Sequence, residues 1–281
     1  AAGRQYTKQT RALRKLSPGR VSAANCYDRR ARQPAKRSMS TTAQTQPPNA
    51  TTRLVLLRHG QSEWNRQHRL TGWSDVGLTA KGEREARVAG RLLADAGFQF
   101  DLAFTSSLRR AADSLDIVLE TLGADVEVQR CWQLNERHYG ALEGLGPIRG
   151  VLRFGFSRVV ACQRRFDVAP PPVSESDPRY PANQAAYRDV PRDLLPRAET
   201  MADAMARMAP LWHERIAPAI QQGRRVLIVG HKNILRAMVK QIGDLDAADV
   251  ERLGIRTGQP WVFELDRALK PVRRYVIEDP R

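Results

Sequence analysis

The chain has 281 residues, 42% of them hydrophobic, with 46 Lys and Arg against 30 Asp and Glu for a formal net charge of +16. That length and apolar content suit one large domain with a substantial core plus an appendage, and no apolar run is long enough to span a bilayer. Three cysteines, Cys26, Cys131 and Cys162, form neither an even set nor a metal-ligand spacing. They predict a reducing compartment, no disulfide framework and no metal site.

The charge gathers at the amino end. Residues 1–50 carry eleven Lys or Arg against Asp28 alone, a net +10 that leaves +6 for the remainder. A stretch rich in Arg, Ala and Ser and nearly free of acid matches an organelle transit peptide, so residues 1–52 are expected to be a mitochondrial targeting segment and linker. The competing readings are a basic arm that binds RNA, an acidic protein or a membrane surface, and a cytoplasmic protein with an inert tail. Nucleic acid has a foothold only through this arm.

Residues 53–281 read as an α/β domain. Leu54-Val55-Leu56-Leu57 has no polar alternation, as suits a strand buried on both faces, and it ends in Arg58-His59-Gly60. The carboxyl edge of such a strand is where open α/β sheets bind ligands. An Arg beside a His with no acidic neighbour calls for an anion, and phosphate fits the guanidinium fork. After a polar loop from Thr71 to Thr79, a helix opens at Thr79 or Ala80 and stops near Gly97. Leu102 to Thr105 is a short strand; Ser106-Ser107 is expected to cap the helix that follows, placing Arg110 in its first turn, where anions are favoured. Val126-Glu127-Val128 alternates like an edge strand.

Glu136 lies beyond, in the loop Asn135 to Gly140. Residues 141–197 are an insertion whose Pro170-Pro171-Pro172 and Pro178 to Pro181 predict an irregular lid rather than a helix. Met201, Ala204, Met205, Met208, Leu211 and Trp212 share a helical core face. Val226 to Val229 is a second apolar strand, ending in Gly230-His231, and a helix from Asn233 to about Ile242 follows. Strands at Trp261–Leu265 and Val272–Ile277 close the alternation. Two imidazoles at two strand ends could face one phosphoryl group, one attacking in line while the other helps hold the oxygens.

Arg58-His59-Gly60 with the later Gly230-His231 resembles the histidine phosphatase superfamily. A longer match resembles its cofactor-dependent phosphoglycerate mutase branch: Thr71-Gly72-Trp73, Leu78-Thr79, Gly82, Leu134-Asn135-Glu136-Arg137-His138-Tyr139-Gly140, Pro170-Pro171-Pro172, Thr257-Gly258 with Pro260, and Phe263-Glu264-Leu265-Asp266. It spans about residues 53 to 277. The resemblance implies a three-layer fold, a mostly parallel central sheet with helices on both faces, and a glycolytic exchange of 3- and 2-phosphoglycerate. It implies 2,3-bisphosphoglycerate as phosphoryl primer, a phosphorylated small acid as substrate and no metal. His59 would carry the phosphoryl group and Glu136 the substrate proton, with Arg58, Arg110 and His231 holding the phosphoryl oxygens. Asn65, Thr71, Gly72, Arg137, Tyr139, Arg164, Lys232 and Asn233 would bind substrate.

Four positions depart from that pattern. Gly146-Pro147 stands where the family has Asn-Lys, Gln163-Arg164 replaces an Arg pair, Lys232 replaces a Gly after the second His, and Ile234 replaces a small polar residue. Lys232 could replace the missing cation or fill the pocket. The segment from Val151 to Cys162 is apolar and basic where the family has a charged surface helix. It is read as an interface, in a homo-oligomer or a larger assembly, or as a repacked lid. The alternatives to a mutase are therefore a phosphatase of the same superfamily and a catalytically impaired structural subunit of a mitochondrial complex.

Overall fold

A computed structural model describes residues 26–29, 51–243 and 245–279, apart from the side chains of 26–29 and 164. The expectations placed on the rest of the basic arm and on the Arg164 side chain lie outside the described residues.

Seven strands form one sheet in the order β1-β4-β3-β5-β2-β6-β7. They are β1 (Cys26–Arg29), β2 (Thr52–Arg58), β3 (Leu102–Thr105), β4 (Glu127–Cys131), β5 (Val226–Gly230), β6 (Pro260–Leu265) and β7 (Pro271–Val276). The four central strands β4, β3, β5 and β2 are parallel, and β1, β6 and β7 add antiparallel at the edges. Both faces are covered, which is why β2, β3 and β5 lack polar alternation. Leu54 and Leu56 pack with Ala204, Met208, Leu211 and Met238 on one face; Val55 and Leu57 pack with Ala86, Leu93, Leu115 and Val118 on the other.

Helix α1 (Glu63–Arg66) is a single turn after β2, and α2 (Ala80–Asp95) starts on Thr79, whose hydroxyl accepts the Gly82 N–H. α3 (Arg109–Leu122) covers the same face as α2. Its start corrects the expected cap: Leu108 is the N-cap and no side chain caps it, because Ser106 is engaged elsewhere. β4 is likewise not an edge strand, since β1 pairs outside it with Cys26 opposite Cys131. Cys131 is disulfide-bonded, against the expectation of no disulfide, and Cys162 is a free, buried thiol.

The insertion opens with two helices, a further correction. α4 (Pro147–Phe154) and α5 (Phe156–Arg164) form a hairpin about Gly155. Pro147 occupies the first turn, where its missing N–H would have no partner anyway. The hairpin closes over Leu142, Val159 and Cys162, with Val151 and Phe154 packed against them. Only the remainder is irregular, three short 3₁₀ turns wrapped around Trp73, Trp132, Tyr180, Tyr187 and Leu195. α6 (Met201–Leu211), a π turn, α7 (Ala217–Gln221), α8 (Lys232–Gly243) and α9 (Ala247–Arg252) complete the chain. Among the described residues no helix is long and apolar enough to cross a membrane, and no group of His, Cys, Asp and Glu could hold a metal ion.

Candidate active site

Strand register builds the site. β2 and β5 pair with Arg58 opposite Gly230, and β3 and β5 with Thr105 opposite Val229. The next residues, His59, Ser106 and His231, therefore leave the sheet side by side at its carboxyl edge. The His59 N–H donates to the Gly230 carbonyl at 3.0 Å, and the two imidazoles lie 5.0 Å apart, edge to face. The turn after His59 needs Gly60: a Cβ there would stand 2.1 Å from the backbone oxygen of Gly82 at the start of α2.

Both histidines are buried. Desolvation, then the nearby Arg110 and Arg58 guanidiniums, hold the His59 pKa well below its ordinary value; desolvation, Arg110 and His59 do the same for His231. Both are neutral near pH 7. The His59 Nδ1 lies 2.7 Å from the Gly60 carbonyl, which can only accept, so Nδ1 carries the proton and Nε2 keeps its lone pair. The His231 Nε2 lies 2.7 Å from the Ser106 hydroxyl, which also accepts the Leu108 N–H. With Ser106 donating, His231 holds its proton on Nδ1, a buried nitrogen without a partner. One ring is thus set as a nucleophile and its neighbour as a donor.

Cations surround the pair. Arg58 donates to the Ile255 carbonyl at 2.9 Å while its buried Nε has no partner. Arg110 donates to the carbonyls of Gly72 and Ser74 at 2.8 and 3.0 Å, and burial pulls its pKa down to about 10. Gly72 has φ of +53°, and a side chain there would run into the Glu143 carboxylate. Arg137 donates to the Cys162 carbonyl and lies over the Tyr139 ring, leaving its Nε and Nη1 buried and unpaired. Lys232 and Arg236 extend the group, each with a pKa lowered chiefly by burial, and Lys232 further by Arg236 and Arg58. Unpaired buried donors on Arg58, Arg137 and His231 are costly unless an anion accepts from them. They fit a phosphate or a bisphosphorylated acid.

Glu136 is the carboxylate among these cations. It accepts from the Arg137 N–H at 2.8 Å and from the Asn233 N–H, at the start of α8, at 3.3 Å. Asn233 also donates its side-chain amide to the Tyr139 hydroxyl at 2.9 Å. Asn65 is partly committed, its carbonyl oxygen accepting the Ser62 N–H in a capping box. Thr71 is buried and its hydroxyl faces only the Arg69 carbonyl, at 3.5 Å. Asn65 shares a cleft of ≈ 320 Å³ with Arg58, His68, Arg69, Pro147 and Gln163. Pro147 indeed brings no charge to that wall, but Arg69 does, stacked on Trp64 and bonded to the Gly144 carbonyl.

A supporting shell went unread in the sequence. The Glu199–Arg207 pair is buried, and Arg207 also donates to the carbonyls of Gln133 and Asn135, at 2.7 and 3.1 Å, and of Glu136 at 3.3 Å. Glu199 accepts the His138 N–H at 2.8 Å, and the Trp73 indole N–H donates to the Glu136 carbonyl. Glu143 accepts the N–H groups of Trp73 and Tyr139, both at 3.0 Å. Apart from the Glu199–Arg207 pair and the Tyr139–Glu143 bond, these contacts join residues 61 or more positions apart, so no local spacing announces them. The hydroxyl of Ser106 was visible, but in the sequence it looks like a helix cap.

The family described as "Histidine phosphatase superfamily (branch 1)" matches residues 54–176 and 167–277. The chain is 50% identical over 226 residues to the 2,3-bisphosphoglycerate-dependent phosphoglycerate mutase 1 of Nitrosomonas europaea, covering 80% of this chain and 97% of that protein. Among solved structures it is similar to a mycobacterial glucosyl-3-phosphoglycerate phosphatase complexed with VO3, with a TM-score of 0.61, 25% identity, and coverage of 81% of this chain and 98% of that one. An alpha-ribazole phosphatase from Shigella flexneri shares the fold, with a TM-score of 0.61, 20% identity, and coverage of 80% of this chain and 96% of that one.

Proposed function

We propose that this chain, which belongs to the histidine phosphatase superfamily, is a phosphoglycerate mutase that passes a phosphoryl group through His59. The observation that carries this reading is the neutral His59, its Nδ1 tied to Gly60 and its Nε2 left as a nucleophile among unpaired cationic donors. The 50% identity to a bisphosphoglycerate-dependent mutase supports the choice of substrate.

His59 Nε2 attacks phosphorus, forming the N–P bond as the bond to the substrate oxygen breaks, and Glu136 returns a proton to that oxygen. In the other direction Glu136 takes the proton of an attacking hydroxyl and His59 recovers its lone pair. Arg58, Arg110 and the Nδ1–H of His231 supply charge and hydrogen bonds to the phosphoryl oxygens, the work a metal does in kinases. 2,3-Bisphosphoglycerate supplies the first phosphoryl group when bound; Arg58, Arg137, Lys232 and Arg69 are the cations placed to hold its negative groups.

Incubation with radiolabelled 2,3-bisphosphoglycerate tests the reading. Acid-labile, base-stable label absent from His59→Ala, with exchange of 3- and 2-phosphoglycerate that survives EDTA, is the expected result. Absence of label where an ordinary mutase saturates would overturn it. A second reading, a phosphatase, is favoured by the uncharged Gly146-Pro147 wall of the cleft, which leaves water easier access. It predicts label at His59 but inorganic phosphate as the only product. Mitochondrial targeting by residues 1–52 is carried as part of the proposal, and fusing that segment to a fluorescent reporter tests it.

A further inference from the structure

The helical hairpin of the insertion turns one apolar face away from the protein. Ile148 and Leu152, one turn apart on α4, are 76% and 82% exposed, and Phe156 at the start of α5 is 68% exposed. The opposite side of the same hairpin is buried through Gly150, Val159 and Cys162. Exposed Arg149, Arg153 and Arg158 flank the apolar tips, and no Asp or Glu occurs between Gly144 and Phe166. We propose that this face docks on an anionic lipid surface, Ile148, Leu152 and Phe156 entering the interface while the three arginines meet lipid phosphates.

The charge selects the occupant. A second copy bound through a two-fold contact would bring Arg149, Arg153 and Arg158 against their own counterparts without an acid between them. Three protruding side chains also fall short of the roughly 800 Å² per partner of a stable protein interface. A lipid interface asks for less: a few large apolar side chains at one level with basic residues beside them. Each arginine near an anionic surface strengthens partition on the order of fivefold, and each apolar side chain taken out of water roughly tenfold.

Flotation of the full-length protein with phosphatidylcholine vesicles, with and without phosphatidylglycerol, tests the proposal. Phe156→Trp is the direct probe: phosphatidylglycerol vesicles with brominated acyl chains should quench the introduced tryptophan beyond the response of the five native ones. Ile148→Ser/Leu152→Ser should lower partition on the order of a hundredfold, and Arg149→Gln/Arg153→Gln/Arg158→Gln by a similar factor, because both sets are exposed and fold normally. Vesicle binding that survives both variants with no added quenching would assign the attachment to residues 1–50 and overturn the proposal. So would the absence of vesicle binding, or a stable dimer or acidic-protein complex lost in Ile148→Ser/Leu152→Ser.

Discussion

At the scale of single residues, the site works by keeping two imidazoles neutral and fixing which nitrogen of each holds its proton. Neutrality has a thermodynamic signature. In the unfolded chain each histidine titrates near pH 6.5, whereas in the fold burial and the arginines depress both values well below that. Below pH 6.5 the unfolded chain takes up protons that the folded chain refuses, so stability falls as pH falls, by about 1.4 kcal/mol per pH unit for each histidine, until the depressed value is reached. Unfolding free energies from urea titrations between pH 6.5 and 5 should therefore show a slope smaller by about that amount in His231→Gln than in the wild type; equal slopes would mean that His231 is charged in the fold. The Ser106 hydroxyl sets the second tautomer. Ser106→Ala leaves the His231 Nε2 buried without its partner, a loss of about 1–3 kcal/mol. That should lower kcat some ten- to a hundredfold with KM nearly unchanged, because the donor matters most when charge develops on the phosphoryl oxygens. Glu136→Gln keeps the shape of the site and removes the proton carrier, and kcat should drop about a hundred- to ten-thousandfold while His59 still takes label.

At the scale of elements, the strands that carry the histidines were legible because burial on both faces leaves an unbroken aliphatic run, and the Arg-His-Gly and Gly-His ends mark where each stops. The insertion was harder. Its prolines speak for residues 170–181, where the chain is irregular, but hide a hairpin just upstream whose first helix starts on Pro147 and contains Gly150 and whose second follows Gly155. Gly150 weakens its helix locally, and packing on Leu142 and Cys162 overrides it. Ser106-Ser107 failed as a cap for a related reason, since the imidazole of a strand far away in sequence claims the hydroxyl. The loop that presents Glu136 depends on Arg207, whose guanidinium meets the loop carbonyls of Asn135 and Glu136 and that of Gln133 just before them, besides Glu199. Arg207→Met leaves the Glu199 carboxylate buried without its cation and should cost about 3–5 kcal/mol in urea unfolding. The double variant Glu199→Gln/Arg207→Met should recover part of that loss while activity stays low; full recovery of activity would mean the loop holds its form without the pair.

At the scale of the whole molecule, a net charge of +16 suits the anionic substrate of the proposed reaction. Ten of those charges belong to residues 1–50, so removing that segment would leave +6. The cations of the cleft, Arg58 and Arg69, and the nearby Lys232 and Arg236 stay with the domain. A positive field of this kind raises the encounter rate of an anionic substrate and weakens with salt. Between 10 and 150 mM ionic strength the screening length shrinks from about 30 to about 8 Å, shorter than the domain is wide. Long-range attraction then disappears, while contacts inside the buried site change little. kcat/KM for 3-phosphoglycerate should accordingly fall by roughly tenfold over that range with kcat almost constant. A variant lacking residues 1–50 should show a shallower fall but not a flat line, because the cations lining the cleft remain. A flat line in the shortened chain would place the attraction wholly in the amino-terminal segment. An unchanged slope would place it wholly in the domain.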